Sequence, residues 1–96
     1  MSLLPDAEID DALADLPGWR RDGAALRTEL GFGNFAEAFA MATRIALLAE
    51  KRNHHPDLTV GWGRLGIALT SHDAGGITRR DVDMARAVAE WTRSKG

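Results

Sequence analysis

The chain has 96 residues, 45% hydrophobic and 27% charged, which describes one small globular domain and argues against a disordered chain. Its net charge of −2 shows no basic excess, so direct binding of DNA or RNA is not expected. It has no cysteine, which removes disulfides, thiolate nucleophiles and cysteine-held zinc.

A domain this short buries only roughly 60–65% of the surface its unfolded chain exposes, so its own core is marginal and association of copies is a common remedy. No stretch approaches the roughly 20 apolar residues that span a bilayer. Residues 1–6 lack the basic and apolar segments of a secretory signal, and the expected location is the cytoplasm.

Residues 5–16 predict the first helix. Pro5 suits an opening position, Asp6 and Glu8 favour the positive end, and Ile9, Leu13 and Leu16 recur at helical spacing before Pro17-Gly18 stops it. Residues 19–21 and 25–32 predict a hairpin about Asp22-Gly23, with Leu26, Leu30 and Phe32 on one face and Arg27 and Glu29 on the other.

Asn34 opens a long helix, with Glu37 three residues on as in a capping box. Phe35, Ala38, Phe39, Ala42, Ile45 and Ala49 read as one apolar stripe, which Met41 and Leu48 widen. Pro56 disfavours a helical His55. The helix is therefore expected to end near Asn53, with His54 and His55 at its exit.

Residues 59–62 and 64–71 predict a second hairpin that bends near Gly61 and Gly63. Leu65, Ile67 and Leu69 take one face. Gly66, Ala68 and Thr70 take the other, joined by His72 if the strand continues. Thr78-Arg79-Arg80-Asp81 has capping-box form and opens a last helix whose inner face carries Val82, Ala85, Val88, Ala89 and Trp91. No repeat or linker divides residues 1–96. The fold class is α+β: a four-stranded antiparallel sheet with three helices packed on one face, in the order α-β-β-α-β-β-α.

The chemistry concentrates in three histidines, the side chains that titrate nearest neutral pH. A histidine at a helix exit is commonly structural, since imidazolium interacts well with the helix C-terminus. Adjacent side chains cannot both do that work, and Pro56 stiffens the exit. A metal site built from His54, His55 and His72 with Glu50 or Asp57 would strain the adjacent ligands and lacks HExxH spacing, so no metal is expected. Glu50 lies one turn before His54 and is expected to meet it, as a plain surface pair or as a carboxylate that orients the ring. Trp62 near a hairpin tip reads as packing or as a wall for a flat heteroaromatic ring.

The combination is more specific than its parts. Glu50, His54-His55-Pro56, Trp62, His72 and Asp81 stand at fixed spacings, with Leu16-Pro17-Gly18-Trp19, Asn34-Phe35, Ala49-Glu50-Lys51, Thr70-Ser71-His72 and Gly76-Ile77-Thr78 around them. Over nearly its whole length this pattern resembles the pterin-4a-carbinolamine dehydratase family. Trp62 stands where tyrosine is frequent, and Val60-Gly61-Trp62-Gly63 is richer in glycine than usual.

The resemblance implies a dehydratase that converts 4a-hydroxytetrahydropterin to quinonoid dihydropterin without metal or organic cofactor. It implies that His54, His55 and His72 surround the pterin, with His55 as the acid for the departing hydroxyl and the others holding the ring or acting as base. Glu50 and Arg80 would stand at the site's edge, with Asn53, Thr70, Ser71 and Asp73 supplying polar contacts. It further implies a homodimer or homotetramer. Some relatives serve instead as dimerisation or assembly partners and can lose the histidines; keeping all three favours the enzyme. A role in molybdopterin metabolism stays open.

Overall fold

In a computed structural model describing residues 2–95, with side chains through Thr92, the elements are α1 (Asp6–Ala14), β1 (Arg20–Asp22), β2 (Ala25–Gly31), α2 (Phe35–Arg52), β3 (Asp57–Gly61), β4 (Arg64–Leu69) and α3 (Arg79–Lys95). The strands form one antiparallel sheet in the order β1-β2-β4-β3. Its register sets Leu26 beside Leu69, Thr28 beside Ile67 and Leu30 beside Leu65, while Leu58 and Val60 of β3 pair with Ile67 and Leu65. Because side chains alternate across a strand, these residues share the face on which the helices lie. The core there joins Ile9 of α1, Ile45 of α2 and Val82 and Val88 of α3 to Leu26, Leu65 and Leu69. The opposite face carries the cross-strand row Arg20, Arg27, Ala68, Asp57. The α+β fold class expected from the pattern is the one that forms. Among the described residues no helix is long and apolar enough to cross a membrane.

Local chemistry sets the ends of α2. The Asn34 side chain accepts the Glu37 N–H at 2.8 Å, and the Glu37 carboxylate accepts the Gly33 N–H at 2.9 Å. At the other end Asn53 adopts a left-handed conformation with φ 52°. The Asn53 N–H then reaches the Glu50 carbonyl at 3.2 Å and the His54 N–H reaches that of Ala49 at 3.0 Å. This paired closure is the Schellman motif, and asparagine tolerates its backbone better than most residues.

The apolar stripe of α2 divides in two. Ala38, Met41, Ala42, Ile45 and Ala49 face the sheet, whereas Phe35 and Phe39 turn outward, 47% and 55% exposed, with ring centroids 6.0 Å apart. Alanines let the helix lie close on the sheet, where a phenylalanine would hold it off. Leu47 is also outward at 68% exposure, but Leu48 packs partly against the core.

β3 begins at Asp57, directly after Pro56, and β4 stops at Leu69. Ser71 forms a lone bridge with Gly76, and its carbonyl accepts the N–H groups of Ala74, Gly75 and Gly76. The chain therefore turns at His72, which does not extend the row of Gly66 and Ala68. Trp62 and Gly63 make the tight turn between β3 and β4, with Gly63 at φ 70° and its carbonyl accepting the Phe32 N–H at 2.8 Å. Trp62 is 73% exposed, so packing within this domain is not its role.

Candidate active site

The start of α3 and the exit of α2 meet at one carboxylate. Asp81 is fully buried, and its Oδ1 lies 2.6 Å from His54 Nε2, itself only 8% exposed. Asp81 Oδ2 accepts the Ser71 hydroxyl at 2.9 Å and the Thr78 backbone N–H at 2.9 Å. Thr78 Oγ1 stands 2.7 Å from Ser71 Oγ and accepts the Arg80 N–H at 3.3 Å. Since Ser71 donates to Asp81, the Thr78 hydroxyl donates to Ser71. No buried side-chain polar atom among the described residues lacks a partner.

Every contact of Asp81 treats it as an acceptor, so the proton shared with His54 is assigned to Nε2. That leaves Nδ1 as the nitrogen for other work. The network is also the expected capping box, with Asp81 returning to the Thr78 N–H. One side chain thus starts α3 and aims an imidazole.

His55 meets a different environment. Its Nε2 hydrogen-bonds Glu50 Oε1, with the imidazole 53% and the carboxylate 76% exposed. Helical spacing alone would let Glu50 meet His54 instead. The left-handed Asn53 ends that periodicity, turning His54 inward to Asp81 and leaving His55 on Glu50's side. Two imidazoles therefore leave one helix in two directions, each with its own carboxylate.

The other expected site residues take mixed positions. His72 is exposed on the turn after Ser71. The Thr70 hydroxyl donates to the Ala24 carbonyl at 2.5 Å, tying the end of β4 to the first hairpin. Ser71 uses its N–H, carbonyl and hydroxyl within the domain. Asn53 is exposed and sets the backbone at the exit of α2. Asp73 accepts from Arg80 at 2.6 Å, and this hydrogen bond, with the guanidinium's charge, holds the Asp73 carboxyl below its ordinary value of 3.8. A cavity of about 650 Å³ opens beside His54, lined also by Arg52, Arg80, Asp83, Arg86, Ala87 and Glu90, and without His55 or His72. Among the described residues no group of three or more histidines and acids is arranged to hold a metal ion.

Residues 2–91 match the family model described as Pterin 4 alpha carbinolamine dehydratase. The chain belongs to this family. A protein of Thermomicrobium roseum that bears the provisional name pterin-4-alpha-carbinolamine dehydratase is 49% identical over 94% of this chain and 97% of its own. A solved structure from Brucella melitensis, described as a transcriptional coactivator/pterin dehydratase, superposes with a TM-score of 0.86 at 32% identity, covering 92% of this chain and 96% of that one. A pterin dehydratase-like protein described as a RuBisCO assembly factor in the alpha-carboxysome matches at TM-score 0.65 and 24% identity, over 76% and 87% of the two chains, which is a likeness of fold.

Within the pterin carbinolamine dehydratase family's frame, Asp81 is the residue beside the histidines whose part in holding His54 the sequence pattern did not bring out. Its spacing after Thr78 marked it as a cap. The signal for a second role was its place in the same pattern as the histidines. Nothing in the sequence alone says that α3 begins against the exit of α2.

Proposed function

We propose that this protein is a 4a-hydroxytetrahydropterin dehydratase working by histidine acid–base catalysis. The observation that carries the reading is the pair of differently held imidazoles: His54 locked by buried Asp81, and His55 open to solvent on Glu50. In the reaction the 4a-hydroxyl takes a proton, the C4a–O bond breaks and water leaves, while a ring nitrogen gives up its proton and a C=N bond forms. Electrons stay within the pterin, so no oxidant is needed.

His55 is the acid for the hydroxyl. Its exposure lets it recover a proton from solvent, and Glu50 keeps its ring in place. His54, fixed through Nε2, presents Nδ1 to the ring or takes the ring proton. His72 closes the site from the loop after Ser71, with Asp73 and Arg80 at its edge and the backbone near Asn53 and Thr70 supplying polar contacts. Positioned groups of this kind contribute about 10²–10⁴-fold each.

The test follows loss of water from freshly made 4a-hydroxypterin by ultraviolet absorbance. The protein should accelerate it, with or without chelator. His55→Ala should lower kcat by about 10²-fold or more while the KM changes little. A rate equal to buffer alone overturns the reading, and full kcat in His55→Ala overturns the role of His55.

A second reading, an interaction protein of the same fold, is favoured by the exposed line Phe35, Phe39 and Leu47 on α2. Two relatives by fold are described as a coactivator and an assembly factor. The same line suits self-association into a homodimer or homotetramer, which is compatible with catalysis.

A further inference from the structure

The acid–base chemistry leaves most of the cavity beside His54 without a task. Its volume, about 650 Å³, suits a drug-sized ligand and exceeds what a flat bicyclic ring requires. From α3 it takes Arg80, Asp83, Arg86, Ala87 and Glu90, which recur at helical spacing on one face, and from the last turn of α2 it takes Arg52. Three guanidinium groups thus line it against two carboxylates, in a chain whose net charge is −2.

Two of the arginines, Arg52 and Arg86, are not balanced by their neighbours. Arg86 stands three residues after Asp83 and four before Glu90, the spacings at which helix charges pair. It bonds neither, and Arg52 likewise makes no ion pair among the described residues. Arg80 is half-buried and held by Asp73. Two unengaged guanidiniums and one positioned one therefore face the cavity that begins at His54. Planar guanidinium forks suit phosphate and carboxylate oxygens.

We propose that this groove receives an anionic tail, a phosphate ester or a carboxylate, carried by the pterin whose ring lies at the histidines. The inference rests on the dehydratase reading for the ring and on the arginines for the tail.

The test is a fluorescence titration with oxidised pterins that share a ring. One bears a neutral dihydroxypropyl chain, one the same chain ending in a phosphate monoester, and one an aminobenzoyl-glutamate chain. At low ionic strength at least one anionic pterin should bind about tenfold tighter than the neutral one, and the advantage should shrink at 1 M salt, where the screening length is about 3 Å. Which anionic pterin leads tells phosphate from carboxylate. The double variant Arg52→Gln/Arg86→Gln should lose the preference and keep the neutral pterin's affinity within about twofold. Equal affinity for neutral and anionic pterins overturns the proposal, as does a preference that survives the double substitution. If no pterin binds, the dehydratase reading falls and pyrophosphate alone judges the groove. Shifted Arg52 and Arg86 Nε–H resonances then sustain an anion site, and unmoved ones overturn it.

Discussion

The two sides of the α2 exit are built to opposite specifications. On the inner side His54, Asp81, Ser71 and Thr78 form a closed set in which every buried side-chain polar atom is bonded. On the outer side the helix face runs through Phe35, Phe39 and Leu47 to Glu50 and then His55, all exposed. The inner side fixes geometry at the cost of being intolerant to change. The outer side keeps access to solvent and partners, and its single ion pair contributes little to stability. The same sequence of two histidines thus holds one rigid ring and one exchangeable one.

The largest effect should come from the inner carboxylate. Asp81→Ala strips the cap from α3 and orphans His54, Ser71 and the Thr78 N–H, a loss of about 2–4 kcal/mol. For a domain of this size that lowers Tm by roughly 10 °C or more. The outer counterpart, Glu50→Gln, removes a surface pair worth about 0–1 kcal/mol and should shift Tm by at most a few degrees. Differential scanning calorimetry of both variants checks the contrast, and comparable shifts would erase it.

A middle-sized effect separates neighbouring leucines. Leu47→Glu should leave Tm nearly unchanged and lower the mass found by light scattering, because Leu47 lies on the outward line. Leu48→Glu places a charge against the core and should cost about 2–4 kcal/mol. A native mass near the 10.4 kDa monomer would remove association from the outer face altogether.

The smallest effect concerns Asp73, an exposed acid that shares Arg80 with the cavity wall. Its carboxyl is held below the ordinary value by Arg80's hydrogen bond and charge. A depressed folded-state value means the stabilisation is present above the ordinary carboxylate value and is lost as the pH falls through the lowered one. Asp73→Asn should therefore trim Tm slightly near neutrality and converge with the native protein in strong acid. Parallel curves across the whole acid range would show that the pair does not contribute.

Much of this was readable from residue order. The caps at Asn34 and Thr78, the stop near Asn53 and the two hairpins depend on local chemistry, and local chemistry is what sequence carries. On α2 the expected Ala38, Ala42, Ile45 and Ala49, with Met41, do lie inward; the departure of Phe35 and Phe39 from that stripe was not readable, since only the sheet decides that alanines lie against it. Glu50's true partner was hidden for a related reason: helical spacing points to His54, but one left-handed residue at Asn53 voids that spacing. His72 left its expected row because Ser71 closed a turn with Gly76. The bond from Asp81 to His54 spans 27 residues and follows from tertiary packing alone.

The double duty of Asp81 makes drift around the site asymmetric. A relative could exchange His55 freely, since only an exposed pair is lost. It could exchange His54 only for a side chain that still satisfies a buried carboxylate. It could hardly exchange Asp81 at all without unravelling the first turn of α3. Exchange within this family would therefore begin on the outer side of the helix exit, and the inner carboxylate would persist as a part of the fold whatever becomes of the exposed histidine.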